Sequence, residues 1–378
     1  MQSRIGSLDI ARVLAVLLVV WAHLVSTGGW APEIPLVIAP GAQLPIFNGA
    51  AFSASRLELF LIHSMDMQAG VGGVFLFFLI TGFLMPMMME RYTRLEFLIN
   101  RLCRIYIPLA GAVVAIACFV ALTQHIRFSI PSYIGSFTLA YPFMRVPPVE
   151  GPLWTLVVEV IFYSICFAVG RFSFRKLLLI QGVAFALVLL SANLPQGNDW
   201  GDVLFLLSYH AKFILIILIG SACYLSEHRT DVSTRGLSIV VAILLAFVAQ
   251  GIHGAAHGDP ERYKNYGAFV WMVGGFFTLR YVADLPVVQR AAQSLRFPSE
   301  LVYSLYLLHL PFGLGAMYAL RNLFPNPAML VLVGFAISCS ASLILHFLLE
   351  QPAIALGRKL VSRLRKPRAM VNADVLAG

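Results

Sequence analysis

Several ionisable side chains in this chain stand among apolar neighbours. Asp9, Arg12 and His23 fall within LDIARVLAVLLVVWAHL, Glu159 within GPLWTLVVEVIFY, and Tyr303, Tyr306 and His309 within VYSLYLLHLP, while His210 and Lys212 interrupt another apolar run. An ionised group at membrane depth costs about 3 kcal/mol or more, so each is a candidate for function. Asp9 and Arg12 are three residues apart and are expected to pair on one helix face. Arg12 and His23 are eleven apart, which returns to nearly the same face about 16 Å along the axis. Glu159 is expected about 10 Å in from the outer end of its helix, at a depth comparable with His23. Thr155 and Tyr163 flank it at i−4 and i+4, each able to bond the carboxylate. A Glu–His pair in a protected site suits general acid–base work at a hydroxyl. The carboxylate orients the imidazole, and the other ring nitrogen takes the proton. Glu159 is therefore expected to orient His23, the alternative being a structural pair with a cation such as Lys212. Lys212 lies too deep to snorkel and is expected to meet a carboxylate or a water-filled cavity. His309 has the plainer alternative of bonding a neighbouring carbonyl.

The elements that must position these groups follow from composition. Of the 378 residues, 59 % belong to the AVILMFWYC set and 12 % are charged. Soluble domains carry about 25 % charged residues, so a soluble globule is excluded. About ten apolar stretches near bilayer-spanning length predict an all-α polytopic transmembrane helical bundle: 8–27, 69–89, 104–123, 152–170, 176–193, 202–223, 236–253, 266–283, 300–321 and 328–350. The stretch 128–146 holds Pro131 and Pro142 and reads as a re-entrant or interfacial piece. The longest outer loop, 28–68, is expected to fold over the outer mouth. A cleaved signal peptide is the alternative for the N-terminus, but Asp9 and Arg12 would interrupt it.

Lys and Arg outnumber Asp and Glu by 27 to 18. With the N-terminus inside, nineteen basic residues fall in cytoplasmic segments and six in outer ones. This alternation predicts both termini in the cytoplasm. The excess is thus read as topology against a lipid bilayer, with no nucleic-acid partner. Residues 1–355 form one membrane-embedded domain on this reading, and 356–378 a mobile basic cytoplasmic tail. Its cluster at 358–368 is assigned to topology and lipid contact. Arg91, Arg94, Arg101 and Arg104, in MERYTRLEFLINRLCRIYIPL, make a dense basic loop at the inner mouth. Guanidinium groups suit phosphate, so this cluster could hold an anionic cofactor, the alternative being charge bias alone. Five isolated cysteines support neither a zinc site nor a disulfide framework, and no P-loop or metal motif is present.

In this order the motifs resemble the acyltransferase-3 family of integral membrane proteins, the bacterial O-acyltransferases of cell-surface carbohydrate. The resemblance runs from about residue 4 to 355. It rests on Arg12 and His23 after LDIAR, GVFLFFLITGFL at 73–84, NRLCRIYIP at 100–108, LWTLVVEVIFY around Glu159, YSLYLLHLP, and LEQP at 349–352. Three positions depart from the family pattern. Phe75 stands where an acid is frequent, Thr81 where Ser is usual, and Val302 before Tyr303 where Ser is common. The resemblance implies an enzyme of the bacterial inner membrane that takes an acyl group, most simply acetyl, from acyl-CoA (acetyl-CoA) to a hydroxyl of a carbohydrate or glycolipid. On it, His23 and Glu159 are catalytic, and Arg12, Arg101 and Arg104 bind the CoA phosphates. Asp9, Thr81, Trp154, Tyr163, Lys212, Tyr303, Tyr306 and His309 support the substrates. No cofactor is permanently bound and no metal is invoked. A secondary transporter is the alternative, although repeated halves and paired Gly- or Pro-broken helices are not seen. A membrane receptor is a further alternative.

Overall fold

The computed structural model describes residues 5–26, 53–125, 127–193, 199–228, 232–257 and 266–376, and the described residues form helices without strands. Of the outer loop, 28–52 lies outside them, as do Arg4, Arg229, Arg262 and Lys264, all of them in the charge count. Helix α1 (Gly6–Trp21) continues into a π-helical turn, Ala22–Ser26. Then come α2 (Ser53–Met65), α3 (Ala69–Arg91), α4 (Arg94–Gln124), the short α5 (Ile130–Thr138) and the single turn α6 (Tyr141–Met144). They are followed by α7 (Leu153–Val169), α8 (Phe174–Asn193), α9 (Asp199–His228), α10 (Val232–Ala256), α11 (Tyr266–Tyr281) and α12 (Pro286–Ser294). The chain closes with α13 (Arg296–Leu320), α14 (Pro327–Leu345), a second π-turn His346–Glu350, and α15 (Gln351–Leu376).

Among the described residues, eight helices are long and apolar enough to cross a membrane, or nine if the α11–α12 pair, bent by 109°, counts as one span; α7 is a shorter apolar helix. These correspond one for one with the ten apolar stretches. The 128–146 piece is α5 and α6, too short to span. The expected order also requires the first and ninth spans to run in the same direction. Asp9 of α1 bonds Ser299 of α13, and His23 bonds His309 further along both, so these two helices are parallel.

Two boundaries differ from expectation. The arginine loop is not a loop: α4 begins at Arg94, and only Tyr92 and Thr93 separate it from α3. Thr93 accepts from the Glu96 backbone N–H while the Glu96 carboxylate accepts from that of Thr93, a capping box that fixes the helix start. Arg101 and Arg104 therefore project from a helix. At the C-terminal end no break follows residue 355, since α15 runs through it. Arg365 bonds Glu96 at 3.0 Å and the Arg91 carbonyl at 3.1 Å, which ties α15 to the junction of α3 and α4.

The apolar interior divides into two clusters. One gathers α3, α8, α9, α10 and α11 around Phe78, Phe83 and Ile217; the other gathers α4, α13 and α14 around Leu109, Leu307 and Leu314. Helices α1 and α7 contribute to both. Leu8, Ala11, Ala15 and Val19 face the first cluster and Val13, Val16, Val20 and Leu24 the second; Val158, Phe162 and Cys166 face the first and Leu153, Leu156 and Val157 the second. The helices carrying Arg12, His23 and Glu159 are thus shared walls between two packed halves, to which α4 and α13 add Phe97 and Tyr306 on the first side. Phe75 lies in the first cluster against Phe213 and Phe269, an apolar role consistent with its lost acid.

Close approach of α3 to α9 depends on two glycines. A Cβ on Gly82 would strike the Ile217 carbonyl, and one on Gly220 would strike the Leu79 carbonyl, so neither collision is relieved by a side-chain shift. Ser221 donates to the Gly82 carbonyl at 2.9 Å across the same contact. Small residues let helix backbones approach where water provides no driving force. Gly82→Val is expected to cost at least about 1–3 kcal/mol through overpacking, read as a lowered Tm of the detergent-purified protein. An unchanged Tm would contradict this packing.

Candidate active site

A cavity of about 230 Å³ lies between α3, α4, α7 and α13, with α1 contributing Arg12 at one end; it is lined by Arg12, Phe77, Thr81, Arg101, Arg104, Thr155, Glu159, Tyr163, Ser299, Tyr303, Tyr306 and Glu350, among others. Its polar lining is organised from one end to the other. At the arginine-rich end, Arg12 Nη1 donates to Asp9 Oδ1 at 3.2 Å, the pair that the sequence predicts, and Ser299 Oγ donates to the same oxygen at 3.0 Å. In the middle, Thr81 Oγ1 donates to Glu159 Oε1 at 2.7 Å and Tyr163 OH to Oε2 at 3.0 Å. The Arg101 guanidinium lies 5.5 Å from the Tyr163 ring and 5.8 Å from the Phe97 ring. Its Nε is buried without a hydrogen-bond partner among the described residues. Tyr303 OH donates to the Ile105 carbonyl at 2.9 Å, fixing that ring against α4. At the far end Tyr306 OH and Thr155 Oγ1 stand 2.6 Å apart, and Tyr306 OH also donates to the Pro152 carbonyl at 3.1 Å.

His23 and His309 lie beyond this end. His309 is fully buried, and its Nδ1 faces the carbonyls of Tyr306 at 2.8 Å and Leu305 at 3.1 Å. Carbonyls only accept, so Nδ1 carries the hydrogen and Nε2 a lone pair. His23 Nδ1 is 2.8 Å from that Nε2 and must be the donor. The bond therefore leaves His23 Nε2 as an unprotonated acceptor, the tautomer that a general base requires.

This geometry corrects the expected pairing. His309, not Glu159, bonds and orients His23, while both Glu159 oxygens take hydrogen bonds from Thr81 and Tyr163. Thr155, expected to bond Glu159, instead meets Tyr306. Arg12 lines the cavity and His23 does not. The turn holding His23 is π-helical from Ala22, so the phase expected for a straight α-helix is lost there. Trp154 and Lys212 are also outside the cavity lining. The Lys212 ammonium lies 4.9 Å from the Tyr209 ring and 5.0 Å from the Phe213 ring, and Trp154 lies 4.8 Å from Phe213. These two belong to one aromatic cluster. His210 Nδ1 bonds the Leu206 carbonyl, as a satisfied helix histidine does.

Sequence reasoning missed the second π-turn. Glu350 Oε2 accepts from Ser304 Oγ at 2.7 Å and pairs with His346 Nδ1 at 2.8 Å, and all three side chains are buried. Gln351 closes on His346 Nε2 at 3.1 Å. A readable signal existed, since HFLLEQP places a His and a Glu four apart in an apolar run. Glu350 lines the 230 Å³ cavity and also a second cavity of about 520 Å³, which opens beside Arg12 and Arg104.

No curated protein and no solved structure matches this chain significantly. The sequence profile described as an acyltransferase domain matches residues 5–347, nearly the whole chain and every residue of the cavity lining except Glu350. A polytopic helical bundle, a cavity with a strip of charged and polar side chains and a profile match of this extent agree: the chain belongs to the acyltransferase-3 family and is a membrane acyltransferase.

Proposed function

We propose that this acyltransferase moves an acyl group, acetyl in the simplest case, from acyl-CoA to a hydroxyl of a cell-surface or lipid-linked carbohydrate, in the bacterial inner membrane. The observation that carries the reading is the hydrogen bond from His23 to His309, because it leaves His23 Nε2 as an acceptor just beyond the Tyr306 end of a cavity whose other end is cationic. By the charge rule the cationic end faces the cytoplasm, where CoA thioesters are made.

The chemistry balances with this chain's residues alone. His23 Nε2 takes the proton of the acceptor hydroxyl as its oxygen attacks the thioester carbonyl. The C–O bond forms, the tetrahedral centre collapses, the C–S bond breaks, and the proton on His23 passes to the departing thiolate. His309 acts as a positioning residue, since its Nε2 accepts from His23 before and after that ring gains its proton. The pantetheine arm of the donor would lie in the cavity, whose wall is mainly apolar with a polar strip at Glu159. There the unused Arg101 Nε–H suits an amide carbonyl of that arm. Glu159 is assigned to holding Thr81, Tyr163 and the Arg101 cation in place.

The test is mass analysis of ester-linked acyl groups on the envelope glycans of a host expressing each variant. Wild type adds the group and an empty vector does not. His23→Ala is expected to lower the rate about 10²–10⁴-fold through loss of the base. His309→Ala is expected to lower it on the order of 10²-fold through loss of the tautomer. His309→Gln, whose amide oxygen can accept from His23, is expected to recover part of that loss. Full acylation by His23→Ala would overturn the assignment, and an unchanged glycan profile with wild type would overturn the proposed reaction.

A further inference from the structure

Glu150 has no part in the chemistry above. It stands in the short link between α6 and α7, two residues before Pro152 at the Tyr306 end of the 230 Å³ cavity, and it is only 1 % exposed. Its Oε1 is buried without a hydrogen-bond partner among the described residues. The backbone is fastened on both sides of it. Val149 N–H donates to Ser136 Oγ of α5 at 2.9 Å, and the Pro152 carbonyl accepts from Tyr306 OH of α13 at 3.1 Å. Tyr141 and Tyr306 lie within its electrostatic reach. Tyr141 belongs to α6, a single turn bounded by two non-glycine residues in the left-handed region, Leu139 at φ 58° and Arg145 at φ 53°. Strain of this kind collects at ligand clamps. The Tyr306 ring lies 5.8 Å from that of His309, which holds His23. Glu150 and the His23–His309 pair thus both adjoin one tyrosine.

A buried polar group left unpaired is costly, and native structures rarely keep one. A site built to bond a substrate hydroxyl does keep one, because the missing partner arrives with the substrate, and an analogue lacking that hydroxyl is rejected strongly. Burial raises the Glu150 carboxyl well above the usual carboxylate range, which makes it a neutral acid that both donates and accepts. A sugar hydroxyl does the same. Among the residues with a part in the chemistry, only His23 touches the acceptor, and one contact leaves a polyhydroxylated molecule free to turn. Resting on the acyl-transfer reading above, we propose that Glu150 recognises the acceptor carbohydrate by hydrogen-bonding a second hydroxyl, beside the one that His23 deprotonates.

The test is a kinetic assay on the full-length protein in lipid nanodiscs with acetyl-CoA as donor. The acceptor is the envelope glycan that wild type acylates, stripped of its esters by mild alkali. Glu150→Leu is expected to raise the KM for the glycan about tenfold, the effect of losing one hydrogen bond, without shifting the KM for acetyl-CoA. Glu150→Gln, whose amide also donates and accepts, is expected to recover most of that loss. Because Oε1 has no partner within the fold, Glu150→Leu is expected to melt at or above the wild-type Tm. A lowered Tm with an equal rise in both KM values would assign Glu150 to structure and overturn the proposal. An unchanged glycan KM in Glu150→Leu, or no recovery in Glu150→Gln, would also overturn it while leaving the proposed reaction intact. Absence of acyl transfer by wild type would overturn the proposed reaction and this inference with it.

Discussion

Everything in this bundle depends on how α1 satisfies its polar atoms without water. The helix is wedged between two apolar clusters and carries an aspartate, an arginine and, just past its end, a histidine. Unpaired polar groups in such a setting cost several kcal/mol, and pairing them determines which helix lies alongside. The partner is α13. Ser299 takes the aspartate at one end, and His309 takes the histidine at the other. These two bonds fasten parallel helices at both ends of one seam, and the cavity lies beside it, walled by α3, α4, α7 and α13 with Arg12 of α1 at one end. Had these positions been apolar, α1 would still pack, but nothing would fix its rotation or bring a basic nitrogen to one end of the seam.

Two π-helical turns sharpen that arrangement. A π-turn inserts an extra residue into the helical repeat, re-aims the side chains it carries and is enriched at functional sites. Here one holds His23 and the other holds His346 and Glu350. Both turns adjoin α13, which answers one with His309 and the other with Ser304. The cost of irregular backbone is offset by side chains that would otherwise point elsewhere.

Much of this was legible in the sequence. The spans follow from apolar run length, the Asp9–Arg12 pair from spacing, and the Tyr163–Glu159 bond from an i+4 relation, because each depends on one helix alone. Partners on different helices were not legible. Depth matched Glu159 to His23, but depth constrains only one of three coordinates, and rotation about the helix axis decided for His309. The start of α4 had a local signal in Thr93 and Glu96, overshadowed by the arginines that made the segment look like a loop. That Arg296 and Arg358 line one cavity had no local signal either, since the residues are far apart in sequence and meet only in the fold.

The central claim is that backbone carbonyls of α13, acting through His309, fix the tautomer of His23. Nitrogen-15 NMR of histidine-labelled protein in lipid tests it directly, with the His23 signals identified by their loss in His23→Ala. Wild-type His23 is expected to be protonated at Nδ1 and bare at Nε2 near neutral pH, and His309→Ala to show a mixture of tautomers. A wild-type His23 protonated at Nε2, or one whose tautomer is indifferent to His309, would contradict it.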